Sequence, residues 1–205
     1  RTAAEAGRPV DVRRAALKAL AESAAPPGRD RVLGLWRPSP PGDPAKAREA
    51  RSSVLEACLK PGPEALQGEA LKAAALLGAG DTATFRRMAR AGFPSSVRAE
   101  ALRGLAVRKA EGLGAALRAA LEEPDEALRR DVLGLIPKAG LADGVALLEQ
   151  AALEGTPGIR QAALPALGDC GPEADAVFCR LLDRRLAGAW PAAAGLELLE
   201  TSAKR

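Results

Sequence analysis

The stretch Val97-Arg98-Ala99-Glu100-Ala101-Leu102-Arg103-Gly104-Leu105 decides the fold. Its recurring apolar positions, Val97, Ala101, Leu102 and Leu105, follow the 3.6-residue period that lines one face of a helix. The same arrangement appears at Val12-Arg13 with Ala16-Leu17 and Leu20. It returns at Leu128-Arg129 with Val132-Leu133 and Ile136, and at Ile159-Arg160 with Ala163-Leu164 and Leu167. A looser copy puts Gln67 where the others have Arg, as Leu66-Gln67 with Ala70-Leu71 and Ala74. The opening residues 66, 97, 128 and 159 are 31 apart, and one more step lands on Trp190, followed by Ala194 and Leu198 as a degenerate sixth copy. Self-similarity at a fixed period of this size is the mark of a repeat architecture.

Between the signature helices lie less regular amphipathic stretches, around 46–59, 82–91, 112–122, 143–154 and 174–187, so each repeat reads as a helix pair. Pro61, Pro63, Pro94, Pro124 and Pro157 fall where a signature helix begins, the place where proline interrupts one helix and presets the next. A pair of this length cannot enclose a core, whereas pairs stacked side by side bury a continuous apolar seam. Ala16, Ala70, Ala101 and Ala163 allow close approach, and the Leu that follows each of them fills the seam. The expected fold is all-α, an α-solenoid of stacked helix pairs forming a single repeat domain over residues 1–205. Composition agrees: Val, Ile and Thr together number sixteen, and there is no Tyr.

The pattern V-R-x-x-A-L-x-x-L resembles HEAT repeats of the short kind, over most of the chain. Tetratricopeptide and ankyrin repeats use Tyr and His at characteristic positions, and this sequence has neither residue.

The step from Val12 to Leu66 is 54 residues, one repeat plus 23, so an insert follows the first copy. It runs from Pro26 to Pro44, holds six of the sixteen prolines, and cannot form a regular helix. Trp36, in Trp36-Arg37-Pro38, is either an anchor that tucks this loop onto the helices or a recognition residue; the anchor is the expectation. This stretch, together with the ending Leu181-Leu182-Asp183-Arg184-Arg185-Leu186-Ala187-Gly188 through Leu198-Leu199-Glu200 to Ala203-Lys204-Arg205, resembles the HEAT region of large planctomycete-type membrane-bound dehydrogenases. In that family the helices separate a sugar-dehydrogenase-like β-propeller from a c-type cytochrome domain in exported proteins. The resemblance implies a periplasmic spacer, and it carries over neither catalytic groups nor haem ligands. The start at Arg1, without Met or a signal peptide, reads as a piece of something longer.

Arg13, Arg98, Arg129 and Arg160 recur at one repeat position and would form a column. As a structural ladder they would bond to loop carbonyls or to acidic groups such as Asp11 or Asp125. As an anion-binding strip they would grip a nucleic-acid backbone, as in HEAT-like repair glycosylases, although net +4 and few aromatics disfavour this. Trp36, Arg37, Arg98, Arg129 and Arg160 are the candidate partner-binding residues. With no His, neither a Ser-His nor a Cys-His nucleophile can be assembled. Cys58, Cys170 and Cys179 lack metal-ligand spacing, although Cys170 and Cys179 are near enough in sequence to bridge in an oxidising compartment. Glu69, Glu100 and Asp131 share a repeat position, which reads as surface repetition and leaves an enzyme such as a bilin-lyase-like HEAT protein without a catalytic cluster. No catalytic, cofactor or metal residue is expected. The expected partner is a protein or a neighbouring domain of the same polypeptide, without membrane insertion; the residues themselves fix no compartment.

Overall fold

The computed structural model describes residues 2–22, 28, 35–36, 52, 54–191 and 195–203. Among them every regular element is helical, so the protein is all-α. The chain divides into two compact units, Arg1–Arg108 and Lys109–Arg205.

In the first unit the signature copies form α1 (Val10–Glu22), α2 (Glu64–Leu76) and α4 (Ser95–Val107), with helical residues 54–58 and α3 (Thr82–Met88) between them. In the second unit, α5 (Leu113–Leu121), α8 (Gly144–Glu154) and α10 (Asp175–Leu186) alternate with signature elements. Those are α6 (Glu126–Leu133) continued by α7 (Ile136–Ala139), then α9 (Pro157–Gly168) and α11 (Gly195–Ala203). Signature helices stack on one another, α1 on α2 on α4 in one unit and α6 on α9 on α11 in the other. The intervening helices flank them, α3 against α4, α8 against α9 and α10 against α11.

Local chemistry explains the starts. Pro63 and Pro94 stand at the N-caps of α2 and α4, and Pro157 opens the first turn of α9, where its missing N–H costs nothing. Asp81, Asp125 and Thr156 cap α3, α6 and α9 by accepting from the amides of Thr84, Leu128 and Ile159. Pro137 lacks the amide needed to continue α6, so the helix breaks and restarts as α7.

The seam is where the periodicity puts it. Leu66, Ala70, Leu71, Val97, Ala101 and Leu102 are buried in the first unit, and Leu128, Val132, Leu133, Ala163, Leu164 and Leu198 in the second. Trp190 is buried too, while Ala194 lies outside the described residues. The first copy departs from the pattern: Val12 is 45 % exposed, because a short turn segment and not a helix precedes α1 among the described residues. Gly104 lets α4 approach Phe85 closely, for a β-carbon there would lie 2.1 Å from the ring. Arg108 caps that contact with its guanidinium 4.0 Å over the Phe85 ring, while donating to the carbonyls of Gly104, Ala74 and Ala79.

Successive repeats are also tied at their edges. Ser96 on α4 donates to Glu64 on α2, and Thr156 at the start of α9 donates to Glu126 on α6 at 2.9 Å. On the flanking helices, Arg118 pairs with Asp143 at 2.6 Å and Arg180 with Glu149 at 2.7 Å. Cys58, Cys170 and Cys179 are all free thiols, so the bridge that the spacing of the last two allowed is not formed.

Leu102→Ala and Leu133→Ala should each lower stability by about 2–5 kcal/mol in urea denaturation, since both side chains are buried where partial collapse leaves a cavity. A loss under about 0.5 kcal/mol at both, the range of surface changes, would mean that the repeat register is misplaced.

The hydrogen bonds from Arg118 and Arg180 hold the Asp143 and Glu149 carboxyls below their ordinary range. A depressed folded-state pKa contributes stability above the unfolded pKa, and that contribution disappears as pH falls through the folded value. The melting temperature should therefore drop on acidification through the carboxylate range, with a shallower drop in a D143N/E149Q double variant. Equal slopes for the two proteins would exclude these pairs as a source of the acid sensitivity.

Candidate functional site

In four of the five signature copies the second residue turns back toward the segment before its own helix. Arg13 is buried and its Nε donates to the Ala3 carbonyl at 2.8 Å, which also accepts from the Cys58 thiol at 3.2 Å. Burial pushes the Cys58 thiol up, more strongly than neighbouring Arg13 draws it down. Arg98, 7 % exposed, donates from Nε to Ala89 at 3.3 Å, and Arg160 from an Nη to Leu153 at 3.3 Å. Gln67, the substitute in the looser copy, does the same through Nε2 to Lys60 at 3.0 Å. Apart from Ala3, which lies in the turn segment before α1, the accepting carbonyls lie at or just after the ends of the flanking helices, where the last turn leaves carbonyls without an intrahelical donor.

The acceptors of these four bonds are therefore backbone carbonyls. Asp125 caps α6, and Asp11 lies 3.6 Å from Arg14. The column also falls short of an anion-binding strip, since Arg13 and Arg98 are withdrawn from the surface.

Arg129 differs from the other four. Its guanidinium makes no hydrogen bond or ion pair among the described residues; its Nε is buried without an acceptor, as is that of Arg160, which bonds through an Nη instead. Arg129 lines an open cleft of about 460 Å³ between α5 and α8, floored by Leu121, Leu133, Leu147 and Ile159. Glu122, Gln150 and Glu154 stand on its rim beside Arg118. Arg118 is already held by Asp143, and Gln150 donates to Glu154 at 3.0 Å.

An equivalent cleft of about 600 Å³ occupies the corresponding repeat position in the first unit, lined by Glu56, Leu59, Lys60, Gln67, Arg87 and Phe93 among others. Leu59, Lys60, Gln67 and Phe93 stand 62 residues, two repeats, before Leu121, Glu122, Arg129 and Gly155. Sequence reasoning missed both clefts, although the two-repeat spacing of their lining residues was there to be read.

No family model matches the chain, and no curated protein is significantly similar to it in sequence.

The insert is corrected at its key residue. Trp36 is 71 % exposed rather than tucked against the first helices, its ring lying against Gly28, where an added β-carbon would fall 2.3 Å from ring carbons. A contact within the loop itself replaces the expected anchor. Arg37 lies outside the described residues. Among the described residues no group of three or more His, Cys, Asp or Glu side chains could hold a metal, and no helix is long and apolar enough to cross a membrane.

Arg98→Ala should cost about 1–3 kcal/mol, because it removes the donor from a carbonyl in a half-buried turn. Arg129→Ala, with no acceptor to orphan, should stay within about 0.5 kcal/mol of the parent. Equal losses in thermal melts would contradict the distinction between these two positions.

Proposed function

We propose that this chain is a HEAT-like α-solenoid acting as a non-catalytic scaffold or protein-interaction module, a spacer within a larger exported redox protein of the sugar-dehydrogenase and cytochrome c type. The observation that carries the scaffold reading is the stacking of signature helices at a 31-residue spacing, with a side-chain donor from four copies satisfying the preceding turn. Such an array holds its neighbours at a set spacing and presents long surfaces without needing a reactive centre. The lack of His in the sequence supports the non-catalytic reading. Burial of Arg13 and Arg98 weighs against a duplex backbone as partner, the alternative that the basic column raised. The redox context rests on the resemblance of the insert and the ending alone.

Small-angle scattering tests the scaffold. A compact protein of 205 residues has a radius of gyration of about 17 Å, and a stacked array should exceed it clearly with an elongated distance distribution. A value at the compact limit would overturn the solenoid. For the redox context, the reading frame containing this chain should encode a β-propeller before it and a C-x-x-C-H segment after it; a frame without both refutes the spacer role.

A further inference from the structure

The cleft at Arg129 combines three properties that together specify a guest. Its floor is aliphatic, from Leu121, Leu133 and Leu147, and its volume of about 460 Å³ is that of a pocket for a few residues. Its rim carries Glu122 and Glu154. At its wall stands Arg129, whose guanidinium has no acceptor among the described residues, whereas Arg160, whose Nε is likewise buried without one, bonds to a carbonyl through an Nη.

What the missing acceptor is can be read from the other copies. At Arg13, Gln67, Arg98 and Arg160 the donor meets a main-chain carbonyl. The first unit supplies an internal control, for in its equivalent cleft Gln67 is already engaged by Lys60. Only in the Lys109–Arg205 unit, among the described copies, does the donor face a cleft with no such bond. With Arg118 on the same rim already paired with Asp143, the two rim glutamates disfavour a second carboxylate there and favour a neutral carbonyl beside a basic group.

Resting on the reading of the chain as an interaction module, we infer that this cleft is a binding site for a peptide segment of a protein partner. The segment places an aliphatic side chain on Leu121, Leu133 and Leu147 and a main-chain carbonyl on the Arg129 guanidinium. A Lys or Arg close by in its sequence meets Glu122 and Glu154. The peptide supplies to Arg129 the type of bond that the protein's own turns supply to the other copies.

The test is selection of a random dodecapeptide library, displayed on phage, against the purified full chain. Enriched peptides should share an aliphatic residue within two positions of Lys or Arg. Synthetic copies should bind at least tenfold more weakly to Arg129→Met, which keeps the length of the side chain and removes its donors, and to Ala151→Trp, which fills the cleft. They should also shift the Arg129 Nε–H resonance in nitrogen-15 spectra of the parent chain. Should Ala151→Trp not fold by circular dichroism, Arg129→Met and the resonance decide. Peptides that bind both variants as tightly as the parent, or a selection that enriches no such sequence, would overturn the site. Either result, from a chain that scatters as an extended particle, leaves the scaffold standing; a compact particle removes the scaffold whatever the peptides do.

Discussion

Helix pairs joined by short turns share one constraint, the carbonyls left over where the first helix stops. They cannot continue their own ladder, and the turn holds them partly away from water, so something must donate to them. Here the donor is carried by the second residue of the signature motif, the fourth of its helix, with its neighbour one position earlier in the seam except at Val12. One dipeptide thus fixes both the packing face and the angle of the turn. This is why Gln67 can stand for Arg: what the position needs is a donor of sufficient reach, and charge is secondary.

The same constraint explains what the sequence made legible. Positions such as Val97, Leu102, Leu133 and Leu164 are set by helical periodicity, and a period can be counted without knowing the neighbours. The acceptors of the arginines could not be counted in this way, because which carbonyl comes within reach depends on how each turn closes. Arg98 reaches back nine residues and Arg160 seven. Arg129 follows Glu122-Glu123-Pro124-Asp125, and no carbonyl of that turn meets it. Trp36 failed for a related reason: burial of a lone aromatic in an irregular segment has no rhythm to reveal it. Val12 matched the pattern and is exposed, since a pattern specifies a face and cannot say whether a neighbour is present to cover it.

The clefts show how one architectural position diversifies. Leu59 and Leu121 keep the floor apolar in both, whereas Phe93 in one stands where Gly155 is in the other, and Lys60 where Glu122 is. Gly155 is itself constrained, since a β-carbon there would lie 2.4 Å from the Ala151 carbonyl. The floor serves the stack and stays alike; the wall and rim serve the surface and vary. The Arg129 donor lies between these two demands.

The edge ion pairs bear on how such a gene can change. Residues 118, 149 and 180 are one repeat apart and read Arg, Glu, Arg, and Glu149 holds Arg180 across adjacent flanking helices. Unequal crossing-over can drop one 31-residue unit and leave the apolar seam in register, so packing alone offers no protection against it. Loss of the unit carrying Glu149 would set Arg118 beside Arg180, cation against cation. The pairing of residue 149 with residue 180 therefore disfavours loss of that one unit, a loss that hydrophobic periodicity would accept.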